Sequence, residues 1–164
     1  VADPEISSST LSQTIFYMRT LKAPPRRETN HPDVLAGETI FIQAGCASCH
    51  VPTLTTGNSE IEPLNNKTFH PYTDLLLHDM GPGLDRGYTE GSAASSEWRT
   101  PPLWGFGLQQ NSQGGMLFLL HDGRARTVEQ ALSYHGGEAT KAKNNFMSLS
   151  EQDKIKLIRF LNSL

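Results

Sequence analysis

The chain has 164 residues, of which 37% are hydrophobic, while 14 are glycine and 10 are proline. We therefore expect one loop-rich domain with a thin core, in which a bound prosthetic group supplies the missing apolar surface. The 14 basic and 17 acidic residues nearly balance, which argues against a nucleic-acid-binding protein. No apolar run approaches the roughly 18 residues of a membrane span. No signal peptide is visible at Val1, so we expect a mature chain or part of a longer one.

Residues 1–32 are predicted to form an N-terminal arm that contains one helix. Between residues 7 and 21, the spacing of Leu11, Ile15 and Met18 is close to that of an amphipathic helix. The serines that begin this segment are candidate N-caps. Pro24-Pro25 ends the helix, because proline cannot continue it.

A second helix is predicted over residues 33–44, with Asp33 as its cap, and it leads directly into the pentapeptide that contains both cysteines. Residues 51–115 are rich in proline and glycine and are predicted to be irregular, except for a short buried turn or helix at residues 72–78. So long an irregular stretch is unusual in a packed domain. We expect it to wrap a large ligand.

Two more helices are predicted near the C-terminus. Thr127 begins a capping box and a helix to about His135, which Gly136 and Gly137 end. A last helix covers residues 150–164, with Ile155, Ile158 and Leu161 on one face and Leu157 and Leu164 flanking it. No alternating strand is predicted, so the fold class is mainly α with long loops.

The arm and the last helix have a similar sequence pattern. A gapless alignment pairs Ile15 with Ile158, Tyr17 with Phe160 and Leu21 with Leu164. Two amphipathic helices can match this well by chance. The alternative is that residues 1–32 close a preceding module of the same kind as the domain at residues 33–164.

The pentapeptide Cys46-Ala47-Ser48-Cys49-His50 is the attachment signature of c-type haem. The two thiols form thioethers to the haem, and His50 is the proximal iron ligand. A zinc site needs about four ligands, and a thioredoxin-like motif follows a strand in a βαβ unit; the sequence offers neither pattern. We therefore predict one covalent haem c, and with it assembly outside a bacterial cytoplasm.

The residues alone leave the sixth iron ligand open. A methionine would raise the reduction potential, whereas an open position would permit peroxide chemistry. Methionine is more often a core filler, and a histidine beside aspartate is more often a hydrogen-bonded turn residue. The candidates are Met80, Met116, Met147, His70, His78, His121 and His135.

Three segments, at residues 72–89, 97–106 and 119–139, carry a family resemblance. They include Leu-His-Asp-Met-Gly-Pro-Gly-Leu, Glu-Trp-Arg-Thr-Pro-Pro-Leu-Trp-Gly-Phe and Leu-His-Asp-Gly-Arg-Ala-Arg-Thr. With them the chain, from residue 5 onward, resembles the C-terminal half of the di-haem oxidoreductases, peroxidase-like proteins once labelled thiol oxidoreductases. These are similar to bacterial di-haem cytochrome c peroxidases and to MauG. Family members carry two haem modules, whereas this chain has a single CxxCH motif.

The resemblance implies a cytochrome c-like helical domain with long haem-wrapping loops, and it narrows the choice of sixth ligand. In the peroxidases, a helix that follows the His-Asp-Gly motif bears the methionine ligand of the electron-transfer haem, and in MauG a tyrosine occupies that place. The matching residue here is His135. Met80 matches a position that is usually aliphatic. The resemblance therefore implies His50/His135 bis-histidine ligation, with Met80 as the alternative.

Other side chains are weaker candidates for contact with the cofactor. Arginine forms bidentate contacts with carboxylates, so Arg99, Arg124 and Arg126 are candidates to pair with haem propionates. Trp98 and Trp104 are candidates to pack on the porphyrin or to lie on an electron path. Asp79 and Asp122 are candidates to orient nearby histidines. A solvated arginine and ordinary core packing are the plainer interpretations.

Three functions follow. The leading one is single-electron transfer, in the periplasm or another extracytoplasmic compartment, to a redox partner protein or a second haem module, with no nucleic acid and no membrane span. The alternative is a haem enzyme whose iron reacts with peroxide at an open or weakly ligated position, with His78, His121 or Glu138 as acid–base group. The third is a thiol redox or zinc protein. Similar peroxidases carry a calcium site, which the sequence itself does not predict for this chain.

Overall fold

The computed structural model describes residues 5–164, and its regular structure is mainly helical, as the sequence predicts. Within that range there are six α-helices, α1 (Ser8–Thr20), α2 (Pro32–Gln43), α3 (Gln109–Ser112), α4 (Val128–Ser133), α5 (Thr140–Met147) and α6 (Glu151–Ser163). Four short strands are β1 (Leu54–Thr55), β2 (Thr68–Phe69), β3 (Leu77–Asp79) and β4 (Glu97–Arg99). None of the described helices is both long enough and apolar enough to cross a membrane.

The core lies where α2 packs against α6. Phe41 of α2 and Phe160 of α6 meet with ring centroids 5.3 Å apart, and Tyr72 packs edge-on against both. The helices approach closely at Gly37, where an added Cβ would come within 2.7 Å of the Phe160 Cβ. Such aromatic packing buries a large apolar area, and it fixes the end of α2, which leads to the cysteines.

Two of the predicted helix caps, Thr127 and Ser150, are confirmed by the structure, and a third, Asp33, is not. Thr127 caps α4 and Ser150 caps α6, each through a side-chain oxygen that accepts a backbone N–H. The prediction that Asp33 caps α2 is wrong. His31 is the cap, because its Nδ1 accepts the Asp33 N–H at 3.1 Å and Pro32 then occupies the first helical position, which suits proline.

The long middle segment contains two small antiparallel ladders that the sequence did not predict. β1 pairs with β2 and β3 pairs with β4, over two and three residues respectively. Strands this short show no usable alternation. The leucines at 75–77 were predicted to be buried, but all three are exposed, with Leu76 at 60%. Their turn is built on polar bonds, because Thr73 Oγ1 accepts the Leu75 N–H and Asp74 Oδ1 accepts the Leu76 N–H.

The face of α6 that packs inward agrees only in part with the predicted one. Leu161 is buried and Ile158 packs against the core, as predicted, but Ile155 is 58% exposed, and Leu157 and Phe160 are buried instead. The sequence pattern was ambiguous because leucine and isoleucine residues occur on more than one face of this helix. Helix α5 was not predicted, since its residues are mostly polar.

Helix α1 forms in the predicted arm, with Ser7 as its N-cap. None of its residues is buried, and its large apolar side chains, among them Phe16, Tyr17 and Met18, are half-exposed or more. A short helix with an exposed apolar face depends on a packing partner for its stability.

Candidate functional site

The CxxCH motif forms a tight turn at the end of α2. Gly45 ends the helix with a φ of 88°, a conformation that glycine adopts without strain. The N–H groups of Cys49 and His50 both donate to the Cys46 carbonyl, so one turn of chain holds the two thiols and the imidazole. Both cysteines are free.

The two thiols lack the activation of a redox-active cysteine. Burial raises the pKa of the Cys46 thiol to about 11, and burial also raises the pKa of Cys49. Reactive cysteines have a lowered pKa, because the thiolate is the nucleophile. The local environment therefore does not favour a thiol redox function.

His50 is held in one orientation by the backbone of Tyr72. Its Nδ1 lies 3.1 Å from the Tyr72 carbonyl oxygen, and its ring packs at a tilt against Phe41. A carbonyl can only accept, so Nδ1 carries the proton and the lone pair lies on Nε2. Burial lowers the pKa of His50 to about 4, against the opposing effect of this hydrogen bond. The imidazole is therefore neutral at pH 7, the form that binds a metal.

His135 repeats this arrangement at the end of α4. Its Nδ1 lies 2.9 Å from the Ala131 carbonyl, and burial lowers its pKa. Among residues 5–164, neither His50 Nε2 nor His135 Nε2 takes part in a hydrogen bond. Hydrogen bonds connect the two segments: Asp74, two residues after the Tyr72 carbonyl that holds His50, binds His78, and His78 also binds Glu138, three residues after His135. The two imidazoles therefore lie in the same region of the molecule.

The segment that carries Met80 lies against the residues that follow His135. A Cβ on Gly136 would come within 2.7 Å of the Met80 carbonyl oxygen, and one on Gly81 within 2.8 Å of the Gly137 nitrogen. Only glycine permits backbones to approach so closely. The structure thus brings together the chain segments of both predicted sixth ligands, Met80 and His135.

A polar cluster around His78 joins these segments. Its Nε2 lies 2.8 Å from Asp74 Oδ2 and its Nδ1 lies 2.8 Å from Glu138 Oε2. Glu138 Oε1 also accepts the Asp79 N–H at 3.0 Å. The hydrogen bond that His78 donates to Glu138, with a further contribution from Asp74, raises the pKa of His78 despite partial burial. Glu138 therefore clamps β3 to the chain just after His135.

Cys49 lies beside this cluster. Its sulfur and single ligand atoms of Asp74 and His78 lie within 4.8 Å of one another. A structural zinc site has four ligands, and this group offers three, while carboxylates already bind both ring nitrogens of His78. The cluster is therefore a hydrogen-bond network in which both nitrogens of His78 already have partners, rather than a metal site.

The remaining predicted side chains lie at varied positions. Arg124 binds Asp122, donates to the Gly83 carbonyl and lies over the ring of Tyr134, next to His135. Its Nη2 is 2.6 Å from Asp122 Oδ2, without the alignment of a hydrogen bond. Arg99 is exposed at the end of β4, and Trp104 packs on Phe69.

Two further predicted residues stack on neighbours. Trp98 is parallel to His121, with ring centroids 3.5 Å apart, and Arg126 lies over the ring of Phe118. Asp79 was a candidate to orient a histidine, but its carboxylate instead accepts the Gly81 N–H and caps that turn. Asp122 lies 3.7 Å from His121 and binds Arg86 and Arg124.

Sequence reasoning missed the backbone acceptors of the two histidines. Tyr72 lies 22 residues from His50 in the chain, and a carbonyl oxygen has no sequence signature. The acceptor of His135 was foreseeable in outline, because a histidine one turn after Ala131 can reach the carbonyl four residues earlier.

Fold and site together define a mainly α protein with a CxxCH turn and a pair of partly buried histidines, each oriented by a bond from Nδ1 to a backbone carbonyl. The family described as "di-haem oxidoreductase, putative peroxidase" matches residues 1–164, the whole chain. The chain belongs to this family, whose name implies a haem cofactor. No curated protein and no solved structure matches the chain significantly.

The residues present fit such a cofactor. Two free thiols and a neutral imidazole are held on one turn, and a second neutral imidazole lies in the same region. Leu75, Leu76 and Leu77 are exposed directly after Asp74, which lies near Cys49. Apolar side chains beside a cofactor site are typical of cofactor-binding proteins.

Proposed function

We propose that the chain is a covalent c-type haem domain that transfers single electrons, as the electron-transfer half of a di-haem peroxidase-like oxidoreductase. Cys46 and Cys49 would attach the haem, and His50 and His135 would be its iron ligands. The observation that carries this proposal is the repeated arrangement of the two histidines, each with Nδ1 bound to a backbone carbonyl and Nε2 available. When bound, the haem supplies the one-electron couple.

The protein's own contribution is to orient and tune the ligands. A hydrogen bond from Nδ1–H to a carbonyl makes Nε2 a stronger donor, and both histidines form such a bond. Two nitrogen ligands give a lower reduction potential than a histidine–methionine pair. If both His50 and His135 bind the iron, no position would be open to peroxide, and electron transfer would be favoured.

The irregular segment and the arm serve this function in different ways. We propose that the loops between residues 51 and 115 wrap the haem, with the exposed leucines at 75–77 toward its edge. The exposed apolar face of α1 packs on a second haem module, in the manner of α6 on α2. Covalent attachment implies an extracytoplasmic location.

A second candidate is peroxide chemistry at a weakly ligated iron. The observation that favours it is the His78 cluster, in which Asp74 and Glu138 flank an imidazole close to Cys49. Such a group can hold or move a proton. This function requires that His135 does not ligate firmly.

The test is covalent haem retention. The chain is expressed with a haem-attachment system and denatured, and its haem is measured after precipitation, beside Cys46→Ser/Cys49→Ser and, as control, Met147→Leu. We expect about one haem per chain in wild type and control and none in the double variant. A colourless wild-type chain would overturn the proposal, and zinc in that chain would point to the Cys49, Asp74 and His78 group instead.

A further inference from the structure

Tyr72 combines a strained backbone with a tightly held side chain. Its φ is 55°, a conformation that residues other than glycine rarely adopt, and only 3% of its surface is exposed. Its ring lies edge-on between Phe41, at 5.9 Å, and Phe160, at 5.7 Å. Strain of this kind persists only where the surroundings over-determine the conformation.

The hydroxyl of Tyr72 is the centre of a polar network between three distant segments. It donates to Glu38 Oε1 at 3.0 Å, and Arg26 binds both carboxylate oxygens of Glu38, at 3.1 and 2.8 Å. Arg26 Nη1 also lies 3.4 Å from the hydroxyl oxygen. This network ties the ring to α2 at one end.

The backbone on both sides of Tyr72 is fixed as well. The Pro71 carbonyl accepts the Leu103 N–H at 2.9 Å, and the Thr73 N–H donates to the Val51 carbonyl at 3.0 Å. Thr73 Oγ1 donates to the Thr100 carbonyl at 2.7 Å. Because the ring and both neighbouring residues are held, the Tyr72 carbonyl can point in only one direction. Its oxygen lies 3.1 Å from His50 Nδ1.

We propose that Tyr72 is a positioning residue for His50, and that Arg26 and Glu38 act through its hydroxyl to aim its carbonyl at the imidazole. The inference rests on the proposed function only in taking His50 as an iron ligand. Removal of the hydroxyl releases the ring from Glu38 and lets the strained backbone relax. The Nδ1–H bond then lengthens, and Nε2 becomes a weaker donor to iron.

The test is Tyr72→Phe, which retains the ring and its packing. NMR of the purified full-length chain follows solvent exchange of the His50 Nδ1–H, a readout that exists with or without haem attached. We expect exchange at least about fivefold faster than in wild type, the order of change that loss of an ordinary hydrogen bond produces. The haem-loaded variant should also have a higher midpoint potential, since a weaker donor stabilises the oxidised iron less.

Two further variants separate positioning from general destabilisation. Glu38→Gln retains an oxygen that can accept from Tyr72, so we expect both changes in the same direction but smaller. Tyr88→Phe removes a hydroxyl from a side chain that is 74% exposed, and neither readout should move. Unchanged exchange in Tyr72→Phe would overturn the inference, as would an equal change in Tyr88→Phe. A haem-free chain with faster exchange in Tyr72→Phe would contradict the proposed function and support the positioning role.

Discussion

The two predicted iron ligands lie in regions of different construction. His50 borders the aromatic core between α2 and α6, where Phe41, Tyr72 and Phe160 fix its surroundings. His135 follows a helix of six residues, and its neighbours are held by the Glu138 clamp and by close backbone approach at Gly136 and Gly137. The first side therefore depends on packing of the whole domain, and the second on a few local contacts.

The core side should show the largest loss of stability. Phe160→Ala removes a fully buried ring that contacts Phe41 and Tyr72, and we expect a loss of about 3–5 kcal/mol in the free energy of unfolding. Ile155→Ala on the exposed face of the same helix should change it by less than about 0.5 kcal/mol. Urea denaturation followed by circular dichroism measures both. Similar losses in the two variants would mean that α6 packs by its predicted face.

The His135 side should be sensitive to backbone clearance. Gly137 and Gly87 both have positive φ, at 50° and 66°, but a Cβ on Gly137 would clash with the Asp79 carbonyl, whereas Gly87 has open space. Alanine at either position costs about 1–2 kcal/mol because an L-residue is strained at positive φ, and at Gly137 the clash should add about 1–3 kcal/mol. The same denaturation experiment compares the variants. Equal losses of stability in the two variants would show that β3 does not pack closely against the turn after His135.

Acid should weaken the network on the His50 side. Burial alone would raise the pKa of Glu38, but hydrogen bonds from Arg26 and Tyr72 outweigh it and lower the pKa below its ordinary 4.5. A lowered carboxylate pKa stabilises the fold above the unfolded value and loses that contribution as the pH falls through the folded value.

We therefore expect the free energy of unfolding of wild type to exceed that of Glu38→Gln by about 1 kcal/mol at pH 7. This difference should shrink steadily below about pH 4.5. Denaturation at a series of pH values measures it. A difference that stays constant on acidification would mean that the charge of Glu38 adds nothing.

The smallest expected effect concerns the clamp on the other side. Glu138→Gln removes the charge that binds His78 Nδ1, so the pKa of His78 should fall toward its ordinary value, while stability changes little. An NMR titration of the imidazole measures this, with Glu129→Gln at an exposed site of α4 as the control. A pKa that does not move would leave Asp74 as the partner that controls His78.

The sequence was sufficient for elements with local signals. Ser7, Thr127 and Ser150 cap their helices through short-range bonds, and CxxCH carries its own geometry. Contacts between residues far apart in the chain have no comparable signal in the sequence. The Tyr72 carbonyl that holds His50 lies 22 residues from it in the chain, and β3 pairs with β4, which is also distant in sequence.

The inward face of α6 and the polar helix α5 were beyond pattern reasoning for another reason. Ile155 and Leu157 are both apolar, and only the position of α2 decides which of them is buried. The roles of Arg99, Trp104 and Arg124 stay predictions, since contacts with a cofactor decide them.

The most direct test of the account is the visible spectrum of the haem-loaded chain, oxidised and reduced, beside His135→Ala and the control Met80→Leu. We predict low-spin wild type without the far-red methionine–iron band, a high-spin His135→Ala and an unchanged Met80→Leu. A high-spin wild type would contradict bis-histidine ligation and favour peroxide chemistry. A low-spin His135→Ala would assign the sixth position to another residue, and loss of the low-spin state in Met80→Leu would identify it as Met80.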